Sequence, residues 1–133
     1  MRKFVESQTG ILLRRFASQV SRTAKEGDAE AIHNLRVAIR RLRRCLQVFS
    51  EFYPGRSWKK IRDRLADLMD AAAEVRDRDI ALKLLAAAGV SPGSALAKHL
   101  EGERRKAGDA LRLELGRWKK RDFARQWRKE LEV

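Results

Sequence analysis

The chain has 133 residues, 44% of them hydrophobic and 37% charged, and a net charge of +13. That apolar share excludes a disordered polycation, and the length suits one domain, residues 1–133, with a core that needs no staples. The single Cys45 excludes an internal disulfide, and no apolar run approaches the roughly 18 residues of a membrane span, so a basic cytoplasmic protein with an anionic partner is expected.

Pro54 and Pro92 are the only prolines, both at expected turns, and no stretch alternates with period two as a strand does. The fold class read from this pattern is all-α. Helix one is expected from about Phe4 to Glu26, with Leu12, Leu13, Phe16 and Val20 inward. Lys25 suits its negative end and Gly27 can close it in the left-handed conformation. Asp28 then caps helix two, with Glu30 in its first turn, and helix two runs to about Phe52 before Tyr53-Pro54-Gly55 stops it. Ser57 is the expected cap of helix three, whose seam is Trp58, Ile61, Leu65, Leu68, Ala72 and Val75. This helix continues through Arg76-Asp77-Arg78-Asp79 into Ile80, Leu82, Leu84 and Leu85, and Gly89 ends it. Ser91 and Pro92 read as the cap and first residue of helix four, with Leu96, Leu100, Ala107, Leu111, Leu115 and Trp118 inward. Gly102, Gly108 and Gly116 within it each cost about 1 kcal/mol relative to alanine and are read as places of close helix approach. Asp122 is the expected cap of a short C-terminal helix, Phe123 to Leu131, that carries Trp127. Four long helices with short connections predict an antiparallel four-helix bundle.

Helix two carries the strongest signal. Ile32, Leu35, Ile39, Leu42, Leu46 and Phe49 step by three and four, one buried seam. His33, Arg36, Arg40 and Arg43 take the same steps one residue later, about 100° round the helix, so a basic stripe flanks the seam. Arg41 and Arg44 add charge on the other side. No Asp or Glu occurs between Glu30 and Glu51, so the helix forgoes the i,i+4 pairs of an ordinary solvated surface. Guanidinium groups match phosphate oxygens with a planar fork of donors, and their repeat of about 5–6 Å along the axis suits an extended phosphate chain. His33 at the head of the stripe either faces water or sits in the anion groove, where bound phosphate would hold it protonated. Lys60 and Arg64, spaced i,i+4 beside the seam of helix three, are the expected second wall.

Asp77 and Asp79 lie two apart and do not share a helix face, which weakens a paired-carboxylate or two-metal site. They are expected to pair with arginines of helix two and fix their rotamers. Neither a catalytic triad nor a phosphate loop nor a metal-ligand spacing is present, so no cofactor, no metal and no enzymatic role is expected. Cys45 reads as a packing residue rather than a redox group. Trp58, Trp118 and Trp127 fit core positions better than base-stacking platforms.

With these residues in place, the chain resembles the CHAD domain, a histidine-containing α-helical family that binds inorganic polyphosphate. The resemblance rests on His33 to Phe49, HNLRVAIRRLRRCLQVF, against the pattern H-x-x-R-[VI]-x-x-[RK]-[RK]-x-R. It is supported by Glu74 to Ile80, EVRDRDI, against V-R-D-x-D-V. It implies polyphosphate binding through His33, Arg36, Arg40, Arg41 and Arg43, with Lys60 and Arg64 as wall residues, Arg76 with the acidic Asp77 and Asp79 in the second motif, and Arg104 as a further match; Arg44, from the basic run itself, is added to the expected contacts. It also implies association with polyphosphate granules. A full CHAD domain resembles two such bundles around a basic channel, and no second H-x-x-R-x-x-x-[RK] segment follows Arg44, so a homodimer that rebuilds the pair is expected. The alternatives are binding of RNA or DNA through its backbone and, behind it, an enzyme acting on a phosphate polymer.

Overall fold

The computed structural model describes residues 1–133. Its helices are α1 (Arg2–Lys25), α2 (Ala29–Val48), α3 (Ser57–Ala87), α4 (Ala95–Lys120) and α5 (Phe123–Leu131), with a 3₁₀ turn at Ser50–Phe52 and no strand. Each long helix packs on its sequence neighbours, and α1 packs on α4, which closes an up-down-up-down ring. The core is the set of seams read from the sequence. Leu13, Phe16 and Val20 of α1 meet Ile32, Leu35, Ile39, Leu42 and Leu46 of α2, Ile61, Leu65, Leu68, Ala72 and Val75 of α3, and Leu111, Leu115 and Trp118 of α4. At one end α5 closes the bundle with aromatic rings: Trp127 stacks on Phe16 at 5.9 Å, and Trp118 and Phe123 meet both edge-on.

The turn between α1 and α2 forms as expected. Gly27 takes φ +63°, which a residue with a Cβ rarely adopts, and the Asp28 side chain accepts from the Ala31 N–H at 2.9 Å. An Asp28→Ala protein loses that cap. It is expected to lose about 1 kcal/mol, a fall in Tm of roughly 4 °C by calorimetry.

Other helix ends differ from the expectation. α2 ends at Val48, not Phe52: Phe52 N–H bonds Phe49 C=O at 2.9 Å, tightening the chain into a 3₁₀ turn. Ser57 lies inside α3, whose first residue follows Arg56, and no side chain caps it. α4 starts three residues later than expected. Ser91 Oγ accepts from the Gly93 N–H and makes a turn, and Ser94 caps the helix by accepting from the Ala97 N–H at 3.2 Å. Asp122 stands at the cap position of α5 in the left-handed conformation, and its side chain makes no capping bond. The glycines of α4 do not mediate helix approach. Gly102 and Gly116 face open space, whereas a Cβ at Gly108 would lie 2.8 Å from the Arg104 guanidinium. Leu96 is exposed rather than inward, as are Ile80 and Leu84 of α3.

Cys45 packs in the core beside two hydroxyls, Thr9 Oγ1 at 3.6 Å and Tyr53 Oη at 3.7 Å, and those hydroxyls bond each other at 2.7 Å. Burial pushes the Tyr53 phenol above its ordinary range; the Cys45 contact adds to this and the Thr9 bond opposes it. A phenol whose folded pKa is raised contributes its stability below the unfolded value of about 10 and loses it as pH rises beyond that. Tyr53→Phe leaves Thr9 with the sulfur contact alone and is expected to cost about 1–2 kcal/mol at pH 7 in urea melts. The deficit relative to the native protein should shrink above pH 10.

Candidate anion-binding face

Two flanks of α2 have to be told apart. Asn34, Ala38 and Arg41, each one residue before a seam position, line a cavity of about 350 Å³ together with Leu12, Arg15 and Gln19 of α1. The flank before the seam therefore faces α1, and the flank after it faces α3. His33, Arg36, Arg40 and Arg43 are on the α3 side. Arg41 is on the α1 side, and Arg44 borders an apolar groove with Phe4, Val48 and Phe49.

On α3 the same test places residues before the seam against α4. Arg64 lies over the Trp118 ring at 4.7 Å, and Asp67 and Ala71 share its cleft with Glu114. In an antiparallel pair the helix sense reverses, so the groove between α2 and α3 is lined from both helices by residues that follow the seam. On α3 these are Arg62, Met69, Ala73 and Arg76. Arg64 is therefore not a wall of the α2 groove, and Lys60, one turn earlier on the same flank, is exposed on the α4 side with it. Arg62, which stacks on Trp58 at 5.3 Å and pairs with its neighbour Asp63, occupies the position that was given to Lys60 and Arg64. The signal for it was available: it follows Ile61 as Arg36 follows Leu35.

The arginines of α2 are free of acids. Arg36, Arg40, Arg41, Arg43 and Arg44 make no ion pair, whereas Arg22, Arg62, Arg78, Arg104 and Arg117 each hold a carboxylate. The only acid within α2, Glu30, meets Arg22 of α1 at 3.6 Å. Arg36 and Arg43, seven residues apart and half-buried, each keep an Nε against the bundle with neither a hydrogen-bond acceptor nor solvent contact. Such a donor costs stability unless something accepts from it. His33 and Arg40 stand further out and are exposed.

Asp77 and Asp79 do not pair with arginines of α2. Asp77 is exposed, and Asp79 continues the inward seam of α3 at the step after Val75. There it receives Arg104 Nε at 3.0 Å, and Arg104 Nη2 donates to the Gly27 carbonyl at 2.8 Å. Arg104, itself on the seam of α4 one heptad before Leu111, is thus spent on binding α3 and the α1–α2 turn, with Gly108 leaving room for its head. Arg112 adds to this clamp by donating to the Ala24 and Lys25 carbonyls at the end of α1, at 3.3 and 2.7 Å. Sequence reasoning missed Arg112, and no local signal marks it.

No three His, Cys, Asp or Glu side chains converge as metal ligands do, and no helix is long and apolar enough to cross a membrane. A family model described as CHAD domain matches residues 10–132. No curated protein and no solved structure matches the chain.

Proposed function

Because the chain belongs to the CHAD-domain family, known for binding polyphosphate, we propose that it binds inorganic polyphosphate without chemistry, along the groove between α2 and α3. The contacts are Arg36 and Arg43 at its floor, His33 and Arg40 at its rim, and Arg62 and Arg76 from α3. The observation that carries this is the pair of shielded, unpartnered Nε donors in a helix whose arginines all lack acids. Phosphate oxygens would accept from those donors and release condensed counterions as they do so, so affinity falls steeply with salt. Arg41, Arg44, Lys60 and Arg64 lie on other faces and supply long-range attraction; Arg104 stays in its clamp. A second copy of the chain adds its own basic groove to the site, and the bound protein associates with polyphosphate granules.

The rival is a nucleic-acid backbone binder using the same stripe. Long-chain polyphosphate and duplex RNA, matched in phosphate concentration and titrated over a salt series, separate the two. Tight polyphosphate binding with RNA much weaker is the expected result. Equal affinity at every salt concentration would make this a general polyanion surface and overturn the proposal.

A further inference from the structure

The four-helix bundle ends at the level where Arg104 joins Asp79 to the Gly27 carbonyl. Beyond that level α3 continues from Ile80 to Ala87 and α4 begins at Ala95. At 1.5 Å per residue, a helical hairpin of about 12 Å projects past the ends of α1 and α2. After Val75 no residue of α3 is buried, and before Gly108 only Ala97 of α4 is. The projection is nevertheless apolar. It carries Ile80, Leu82, Leu84, Leu85, Val90, Leu96 and Leu100, with Leu84 64% and Leu96 53% exposed. A surface helix with leucines on its free face is a contact surface in search of a cover.

Charge says what covers it. Between Arg76 and Glu103 four basic residues, Arg76, Arg78, Lys83 and Lys98, stand against four acidic ones, Asp77, Asp79, Glu101 and Glu103. The excess of +13 therefore lies entirely on the rest of the molecule. Two copies brought together through their α2 faces set arginines against arginines, whereas here bases of one copy can meet acids of the other. We infer that the α3–α4 hairpin tip is a two-fold contact between copies of this chain. The root of the hairpin adjoins the start of α2, so this contact sets two basic grooves end to end at their His33 ends. The inference rests on the dimer proposed above and not on which polyanion is bound.

Sedimentation velocity from 5 to 200 µM, without polyphosphate, tests it. The native protein is expected at twice its 15.3 kDa mass. A Leu84→Glu/Leu96→Glu protein should sediment at the single-chain mass with unchanged helicity, since both side chains are exposed in the single chain. A Phe4→Glu/Val48→Glu protein, altered at the opposite end, should remain dimeric. A native protein that is monomeric throughout, with or without added polyphosphate, overturns the dimer itself. A dimer that survives the hairpin charges, or that is lost in the Phe4/Val48 protein instead, overturns the hairpin assignment alone. A failure of polyphosphate binding changes none of these readings.

Discussion

An Arg36→Ala/Arg43→Ala protein will keep its fold and lose long-chain polyphosphate. Each guanidinium removed takes with it charge-assisted bonds worth about 1.5–3 kcal/mol, so affinity at low salt should fall roughly 10- to 100-fold per residue. The logarithmic salt slope should become shallower by about 1.4, at about 0.7 per lost contact on a single-stranded polyanion. Thermal stability should hold or rise slightly, because the two Nε groups that lack acceptors go with the side chains. A control Lys60→Ala/Arg64→Ala protein loses the same charge from the other flank of α3. It should change the slope much less, since its side chains meet the anion only through long-range attraction. Equal losses in the two proteins would mean that net charge, not the groove, holds the ligand.

Arg104→Met will destabilise the protein without touching the groove. Arg104 and Asp79 are only 22% and 13% exposed, so removing the guanidinium leaves a shielded carboxylate and the Gly27 carbonyl without their donor. Breaking a buried pair from one side costs about 3–5 kcal/mol, and the partial exposure here sets the expectation near 3, a fall in Tm of roughly 10 °C. Asp79→Asn in the Arg104→Met background should return part of that loss, since the cost is largely an uncompensated charge. Recovery distinguishes this origin from a packing defect at Gly108, which the second substitution does not repair. Polyphosphate affinity below the melting range should be unchanged. A comparable loss of affinity would instead put Arg104 among the ligand's contacts.

The seams of α1, α2 and α3, and that of α4 from Leu111 on, were legible because each is a local pattern of threes and fours, and the burial of Ile32, Leu65 or Leu111 follows from it. The turn at Gly27-Asp28 was legible for the same reason: its chemistry lies within four residues. What misled was handedness. Lys60 and Arg64 flank a seam as Arg36 and Arg40 do, but they precede it; on α3 that flank faces α4, and the groove toward α2 takes the flank that follows. Ser91-Pro92 offered a good helix start, yet Ser91 bonds Gly93 and so spends itself on a turn, leaving Ser94 to cap. The Arg104 and Arg112 clamps reach back across 77 to 88 residues. Periodicity shows that a residue faces inward; it does not show which carbonyl waits there. Arg104 lies on an apolar seam, and a charge on a seam was the one available hint that its partner is inside the protein rather than a ligand.

If the polyanion lies in the groove between α2 and α3, as proposed, the arginine side chains report on it directly. The Nε–H resonances of the ¹⁵N-labelled protein should be followed while long-chain polyphosphate is added at two salt concentrations. Saturable shifts are expected at Arg36 and Arg43, joined by Arg40, Arg62 and Arg76, with Arg64 and Arg104 still. Shifts of similar size at Arg64, Arg112 and Arg36 alike, or a still Arg36 and Arg43, would contradict it.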